Sequence, residues 1–301
     1  MPRSRCDLRL AFPIFAVAFF CIASAIAARA QDDAAPVYRE VETKYIFGFT
    51  TGSSIGLEGE KEISSETVAG IGKRDGRYFA TQTKLEFEHT PTQFFQFELG
   101  ALVMTHNIRN VTDMDDRNGK NFGGLFGELR YLLVGRGPGS PFGVTVSVEP
   151  VWRRIDETGG ARVRNFELET KLSVDTELVE NRVYLGMNAI YEPEWTRTST
   201  GEFERESSLG LSGAIAFRPV SEALVGGEVG YFRHYDGIGF NTFTGDALFV
   251  GPTLYVQLAR KVFMTAAWAT QVCGHAVDDP SPLNLADFPR HRAKLKFAFE
   301  F

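Results

Sequence analysis

Apolar and polar residues alternate with a period of two through most of this chain. In residues 79–88, aromatic and branched side chains occupy the odd positions and Gln, Lys and Glu occupy most of the even ones. A period of two places these sets on opposite faces of a β-strand, whereas an amphipathic helix needs a period of 3.6. The pattern predicts twelve strands, at about 45–57, 77–90, 93–106, 122–134, 142–155, 163–176, 182–195, 206–218, 222–236, 247–260, 261–271 and 291–301.

The connections between these segments alternate as well. Short turns such as 135–141 and 177–181 alternate with longer polar connections such as 58–76, 107–121 and 272–290. Short turns on one side and longer loops on the other, with an even strand number, are typical of a transmembrane barrel. We therefore predict an all-β fold, a transmembrane antiparallel up-and-down β-barrel of about twelve strands. The alternative is a soluble β-sandwich, which also alternates.

The direction of each face distinguishes these two folds. In a sandwich the apolar face would form the core, whereas in a membrane barrel it would contact lipid and the charges would line the lumen. The apolar face of the last segment continues to the terminal Phe301, where a soluble sheet ordinarily frays. Aromatic residues also gather near the ends of segments, for example Trp152, Trp195 and Trp268. Aromatic girdles of this kind favour the membrane barrel.

The chain ends on "KLKFAFEF", with aromatic residues at alternate positions up to Phe301. This ending resembles the C-terminal strand signal of Gram-negative outer-membrane β-barrel proteins. The hairpins "FEHTPTQFFQFELGA" and "FRPVSEALVGGEVGY" resemble those of small outer-membrane channels. The resemblance implies an outer-membrane location, contact with lipid and lipopolysaccharide, and recognition of Phe297, Phe299 and Phe301 by the barrel-assembly machinery. It also implies that the last strand closes the barrel against the first.

The N-terminus has the features of a secretory signal. Residues 1–30 combine a basic start, an apolar run and an A-x-A site, so we expect cleavage before Gln31. Residues 31–44 would form a short periplasmic segment and 45–301 the barrel. Cys6 and Cys21 would leave with the signal, so Cys273 could form no disulfide within the mature chain. The signal holds four Arg and one Asp, which leaves 28 basic and 37 acidic residues, and this acidic balance disfavours nucleic acid as a partner.

The sequence offers little catalytic chemistry. The glycine-rich "GRGPG" at 135–139 lacks the ending of a phosphate loop, and "DMDDRNGKN" at 113–121 lacks the closing glutamate of a calcium loop. His106 and His234 are expected to point inward near the outer rim, and neither is clearly paired with a serine. We therefore expect no catalytic, cofactor or metal site.

Charged residues on the inner faces are the candidate functional residues. Ten acidic and six basic side chains should line the lumen: Lys84, Glu86, Glu88, Glu98, Glu128, Arg130, Glu149, Arg153, Glu167, Glu169, Lys171, Glu192, Glu194, Glu228, Lys294 and Lys296. An acidic surplus attracts cations. The hypothesis is a narrow passive channel for small polar solutes or ions with a modest cation preference. The alternatives are a barrel-embedded lipid-modifying enzyme, of phospholipase or lipid A deacylase type, and a plugged structural barrel.

Overall fold

The computed structural model describes residues 41–137, 139–277 and 279–301, so the expected signal at 1–30 and residues 31–40 lie outside it. Within these ranges, a 3-10 turn at Thr43–Tyr45 precedes the strands. No helix in these ranges has the length and apolar character needed to cross a membrane. The strands, β1 to β12, are Lys61–Ile71, Arg77–Thr92, Phe95–Arg109, Arg117–Val134, Phe142–Ile155, Arg162–Val179, Val183–Thr198, Phe203–Val220, Ala223–Asp236, Thr242–Ala259, Val262–Ala276 and His291–Glu300.

The twelve strands form a closed antiparallel barrel. Each strand pairs with its neighbours in sequence, and β12 pairs with β1. The register of this seam runs from Glu62 opposite Glu300 to Ile71 opposite His291. The predicted fold class, strand number and closure by the last strand are therefore confirmed.

The two faces of the wall have opposite character. On β2, Leu85 and Phe87 are 49% and 38% exposed on the outside, whereas Glu86 and Glu88 are 6% and 5% exposed inside. Apolar side chains thus cover the outside and charged ones face the interior, which is the arrangement of a barrel that contacts lipid.

The predicted first strand at 45–57 is wrong. The structure has irregular backbone from Ile46 to Glu60, of which residues 46–56 lie inside the barrel, and places β1 at Lys61–Ile71. That range lies within 58–76, which we expected to be a loop. The predicted set of strands is otherwise correct, although β4, β8, β10 and β11 extend further into the long connections than expected.

Local sequence explains this error. Ile46, Phe47 and Ile55 are at most 1% exposed, so their apolar character reflects burial inside the barrel rather than contact with lipid. On the outer face of β1, in contrast, the sequence has small polar residues, which weaken the alternation. The hydroxyls of Thr67 on β1 and Thr83 on β2 lie 2.9 Å apart and share a hydrogen bond, so a polar pair is tolerated on this face.

Candidate functional site: a charged lumen closed by a plug

Residues 43–56, here called the plug, fold into the barrel. They occupy the half near the short turns, here called the turn side, where β1 begins and β12 ends. Phe47 is fully buried and packs against β7, where a Cβ on Gly186 would lie 2.7 Å from the Phe47 ring. The wall therefore needs glycine at position 186 to admit this ring.

Lys44 of the plug forms buried ion pairs with the wall. Its ammonium donates to the carboxylates of Glu88 and Glu98, and to Gln96 Oε1 at 3.0 Å. The Lys44 side chain is 4% exposed and those of Glu88 and Glu98 are each 6% exposed. The next plug residue, Tyr45, donates its hydroxyl to Glu88 Oε2 at 2.8 Å. Buried charges of this kind are stable only while they are paired.

Wall side chains also satisfy the backbone of the plug. The amides of Phe49 and Thr50 donate to Glu228 Oε2 at 2.9 Å and 3.0 Å. Asn188 bonds both backbone groups of Thr51, accepting from its amide and donating to its carbonyl at 2.7 Å each. The strands therefore bind this backbone specifically, in an irregular conformation that forms no ladder of its own.

The returning half of the plug is held in the same way. The Ser53 amide and the Thr43 hydroxyl both donate to Asp175 Oδ2 at 2.5 Å. Arg130 Nη2 donates to the Gly52 carbonyl at 3.0 Å, and the Thr145 hydroxyl donates to the Ser53 carbonyl. Polar contacts with the wall thus hold the plug from Thr43 to Ser53.

The opposite end, here called the loop side, is partly covered by the β11–β12 connection. Its Phe288 is buried, with its ring centroid 4.2 Å from that of His234. Lys73 Nζ, from the β1–β2 loop, donates to the Ala286 carbonyl at 2.7 Å. Burial lowers the pKa of the Lys73 ammonium to about 8, although Asp287 and Asp156 act to raise it. This connection therefore folds inward and packs against the wall.

A cavity of about 230 Å³ lies in the lumen. Its walls come from many strands and from plug residues such as Lys44, Tyr45 and Phe49. Among the described residues, eight carboxylates and seven cationic side chains line it: Glu66, Glu86, Glu98, Glu128, Glu149, Glu169, Glu192 and Glu228, with Lys44, Lys84, Arg130, Lys171, Arg292, Lys294 and Lys296.

Most of these charges form ion pairs. Four salt bridges around the cavity have N···O distances of 2.6–2.9 Å: Lys84–Glu149, Lys171–Glu169, Lys296–Glu86 and Lys294–Glu66. Arg130 lies 3.5 Å from Glu128. Opposite charges at these distances stabilise each other strongly in a narrow lumen, because little water screens them.

The structure brings twelve of the sixteen predicted lumen residues to this cavity. Glu88 instead binds the plug, Arg153 pairs with Glu167, and Glu194 accepts from Asn165.

Three charged residues that line this cavity were missed: Lys44, Glu66 and Arg292. Arg292 shares the parity of Lys294 and Lys296, so a longer inner face for β12 would have found it. Glu66 was hidden by the misplaced first strand, and no local pattern marks Lys44.

Two histidines were expected to point inward. His106 is 2% exposed, and its Nε2 lies 2.8 Å from the Glu157 carbonyl. His234 stacks on Phe288. Another histidine, His291, shares a 3.0 Å hydrogen bond with the Thr270 hydroxyl. In the described contacts no carboxylate joins that pair, so the third member of a hydrolytic triad is not in place there.

Three carboxylates meet at the turn-side rim. Glu42, Glu60 and Glu300 offer oxygen atoms within 4.8 Å of one another, close enough to hold a divalent cation. Acidic groups at a rim are also common without an ion, and we assign no metal site to them.

Comparison with known proteins agrees with this architecture. The model of a family of unknown function, DUF6662, matches residues 39–301. The chain belongs to this family. The search of curated proteins found no significant match.

Some proteins of known structure have a similar fold. The COG4313 outer membrane channel from Pseudomonas putida F1 is similar, with a TM-score of 0.57 and 10% identity over 90% of this chain and 100% of that one. The NanC porin has a TM-score of 0.48 and 8% identity over 79% and 98% of the two chains. At these identities the likeness shows the fold, that of an outer-membrane β-barrel.

Proposed function

We propose that this protein is an outer-membrane channel for small polar solutes or ions, closed by the plug in the conformation described. The observation that carries the proposal is the charged cavity inside a closed barrel, which the plug separates from the turn side. Barrels of about eight strands are filled by side chains, and those of about sixteen to eighteen enclose wide pores. Twelve strands leave room for a narrow passage once the plug has moved.

The plug suits a gate because of how it is held. Its contacts with Glu228, Asn188 and Asp175 are hydrogen bonds, which water can replace when the segment leaves the lumen. Phe47 packs in the lumen at fully buried apolar residues, which provides a defined closed position.

An outer-membrane channel would have a defined environment on each side of the barrel. The turn side would face the periplasm, the loop side would face lipopolysaccharide, and the barrel-assembly machinery would read Phe297, Phe299 and Phe301. The signal at 1–30 would be cleaved during export.

The enzyme hypothesis has less support. Only the Thr270–His291 hydrogen bond combines a hydroxyl and a histidine at the outer rim among the described contacts, and it is explained by pairing of β11 with β12. Phospholipid hydrolysis by the purified barrel, lost in His291→Ala, would support an enzyme instead.

Conductance in planar bilayers tests the channel and its gate together. A variant that lacks residues 31–56 behind the signal should conduct steadily, because nothing then fills the turn side. A second variant, Thr50→Cys with Ser212→Cys in a Cys273→Ala background, should tether the plug, since the two native hydroxyls lie 3.0 Å apart. Conductance should be blocked after oxidation and return after reduction.

Each variant must first show the heat-modifiable migration of a folded barrel. A folded plug-deleted barrel without conductance would contradict the channel and support a structural barrel. Equal conductance before and after oxidation of the tethered variant would contradict the plug as the gate.

A further inference from the structure

The charges around the cavity are almost completely matched by partners from the same chain. Six of the seven cationic side chains that line it form a salt bridge with a lining carboxylate: Lys44, Lys84, Arg130, Lys171, Lys294 and Lys296. Of the two other carboxylates, Glu228 accepts the plug amides of Phe49 and Thr50.

Two side chains of opposite charge remain. Within the described part of the chain, neither Glu192 nor Arg292 forms a hydrogen bond or a salt bridge, although both line the cavity. β7 carries Glu192 and β12 carries Arg292, five positions apart in the strand order of the barrel. The two side chains therefore project into the lumen from nearly opposite walls.

The surroundings of Arg292 hold its guanidinium without using its hydrogen-bond donors. The guanidinium carbon lies 4.6 Å from the ring centroid of Phe49, 5.1 Å from that of Phe232 and 5.7 Å from that of Phe249. Phenylalanine rings stabilise the cation but offer no oxygen acceptor. The planar fork of N–H groups stays available, and it matches a carboxylate in bidentate geometry.

Glu192 provides the opposite charge in a polar setting. Its register partner on β8 is Ser208, which also lines the cavity. The acidic side chains of Glu167 and Glu169 lie near enough to act on it, so the ammonium group of a solute would stabilise the ionised form of the Glu192 carboxyl group.

We propose that the cavity binds a small zwitterion, whose carboxylate contacts Arg292 and whose ammonium contacts Glu192. This inference rests on the proposed channel function and names its solute class. A singly charged solute would match only one of the two side chains, whereas a zwitterion matches both without adding net charge to a cavity whose charges are nearly balanced. The cavity of about 230 Å³ is below the range of drug-sized pockets, which suits a solute with few heavy atoms.

Calorimetry on the folded wild-type protein in detergent tests the proposal without requiring conductance. The probes are linear ω-amino acids with increasing charge separation, namely glycine, β-alanine, 4-aminobutyrate and 5-aminopentanoate. At least one should bind on the order of tenfold more tightly than butyrate or butylamine, which carry one charge each. Equal affinity for the zwitterions and the singly charged analogues, or no binding, would overturn the proposal.

Substitutions then locate the site. Glu192→Gln and Arg292→Gln should each weaken binding of the best probe on the order of tenfold. The controls are Glu204→Gln and Arg154→Gln, which neutralise exposed charges and should bind like wild type. Unchanged binding in both lumen variants would overturn the assignment, and if either fails to fold the comparison among probes on wild-type protein still decides.

The two proposals fail in different ways. Conductance by the plug-deleted barrel, together with no zwitterion binding to the intact one, would leave the channel and remove the site. Zwitterion binding without conductance from any folded variant would leave the site and remove the channel.

Discussion

At the scale of single residues, Lys44 links the plug to the wall. Its ammonium lies between Glu88 and Glu98, and each of these side chains is nearly inaccessible to solvent. Removing one partner from a buried ion pair costs about 3–5 kcal/mol, because the remaining charge is left unpaired. In this barrel the cost falls on the closed state, since water can solvate the two carboxylates once the plug has left.

We therefore expect Lys44→Met to favour the open barrel. Loss of about 1.4 kcal/mol from the closed state already changes the equilibrium tenfold, so the open time in single-channel recordings should rise by at least about that factor. Lys61→Met is the control, because Lys61 is exposed at the start of β1. Identical open times for Lys44→Met and Lys61→Met would contradict the role of Lys44.

At the scale of elements, the seam between β1 and β12 completes the barrel. Phe297 and Phe299 of β12, with the terminal Phe301, are 44–48% exposed on the outer face. Phe299 lies opposite Ile63 of β1 and Val262 of β11, so its ring lies beside both strands that pair with β12. These rings therefore belong to the surface that must enter the lipid phase when the barrel closes.

Charges at these positions should block assembly. We expect Phe299→Asp with Phe301→Asp, or deletion of Phe301, to leave export intact but to abolish the compact, heat-modifiable form in outer-membrane fractions. A charge on the lipid face costs up to about 2–4 kcal/mol, and less near the interface. Phe240→Asp is the control, because Phe240 is equally exposed but lies in a loop-side connection. Normal amounts of compact protein from the double variant would refute this account of β12.

At the scale of the whole molecule, the plug changes the charge balance of the lumen. The cavity has eight carboxylates and seven cationic side chains, one of which is Lys44. The sequence alone suggested a larger acidic surplus, because no local pattern marks Lys44 and because the predicted inner face of β12 did not include Arg292. Withdrawal of the plug removes Lys44 and leaves Glu88 and Glu98 without their ammonium, so the open lumen is more acidic than the closed one.

We expect the plug-deleted channel to prefer cations modestly. Its reversal potential in a salt gradient should shift towards anions when four inner-face glutamates become glutamine: Glu167, Glu169, Glu192 and Glu194. The preference should weaken in high salt, because the screening length falls to about 3 Å at 1 M. The control neutralises four exposed glutamates: Glu58, Glu180, Glu202 and Glu204. An anion-preferring plug-deleted channel would contradict this electrostatic interpretation.

The sequence pattern predicts most of the barrel wall, and β1 is the exception. Alternation with a period of two is a local property, because each strand must present apolar side chains to lipid and polar ones to the lumen along its whole length. For that reason the pattern predicted eleven of the twelve strands and the inward parity of residues such as Glu86 and Lys296. The closing role of β12 came instead from the resemblance of the C-terminal segment to that of outer-membrane barrels. The same alternation continues to Phe301.

What fills the lumen depends instead on contacts between segments that are distant in sequence. Residues 45–57 look like a strand because Ile46 and Phe47 are apolar, but these two side chains are buried against wall residues that are distant in sequence, such as Tyr184 and Ala216. Lys44 likewise finds its carboxylates more than forty residues away. Such contacts depend on closure of the barrel, which brings twelve strands around one space, and no local period records which segment enters that space.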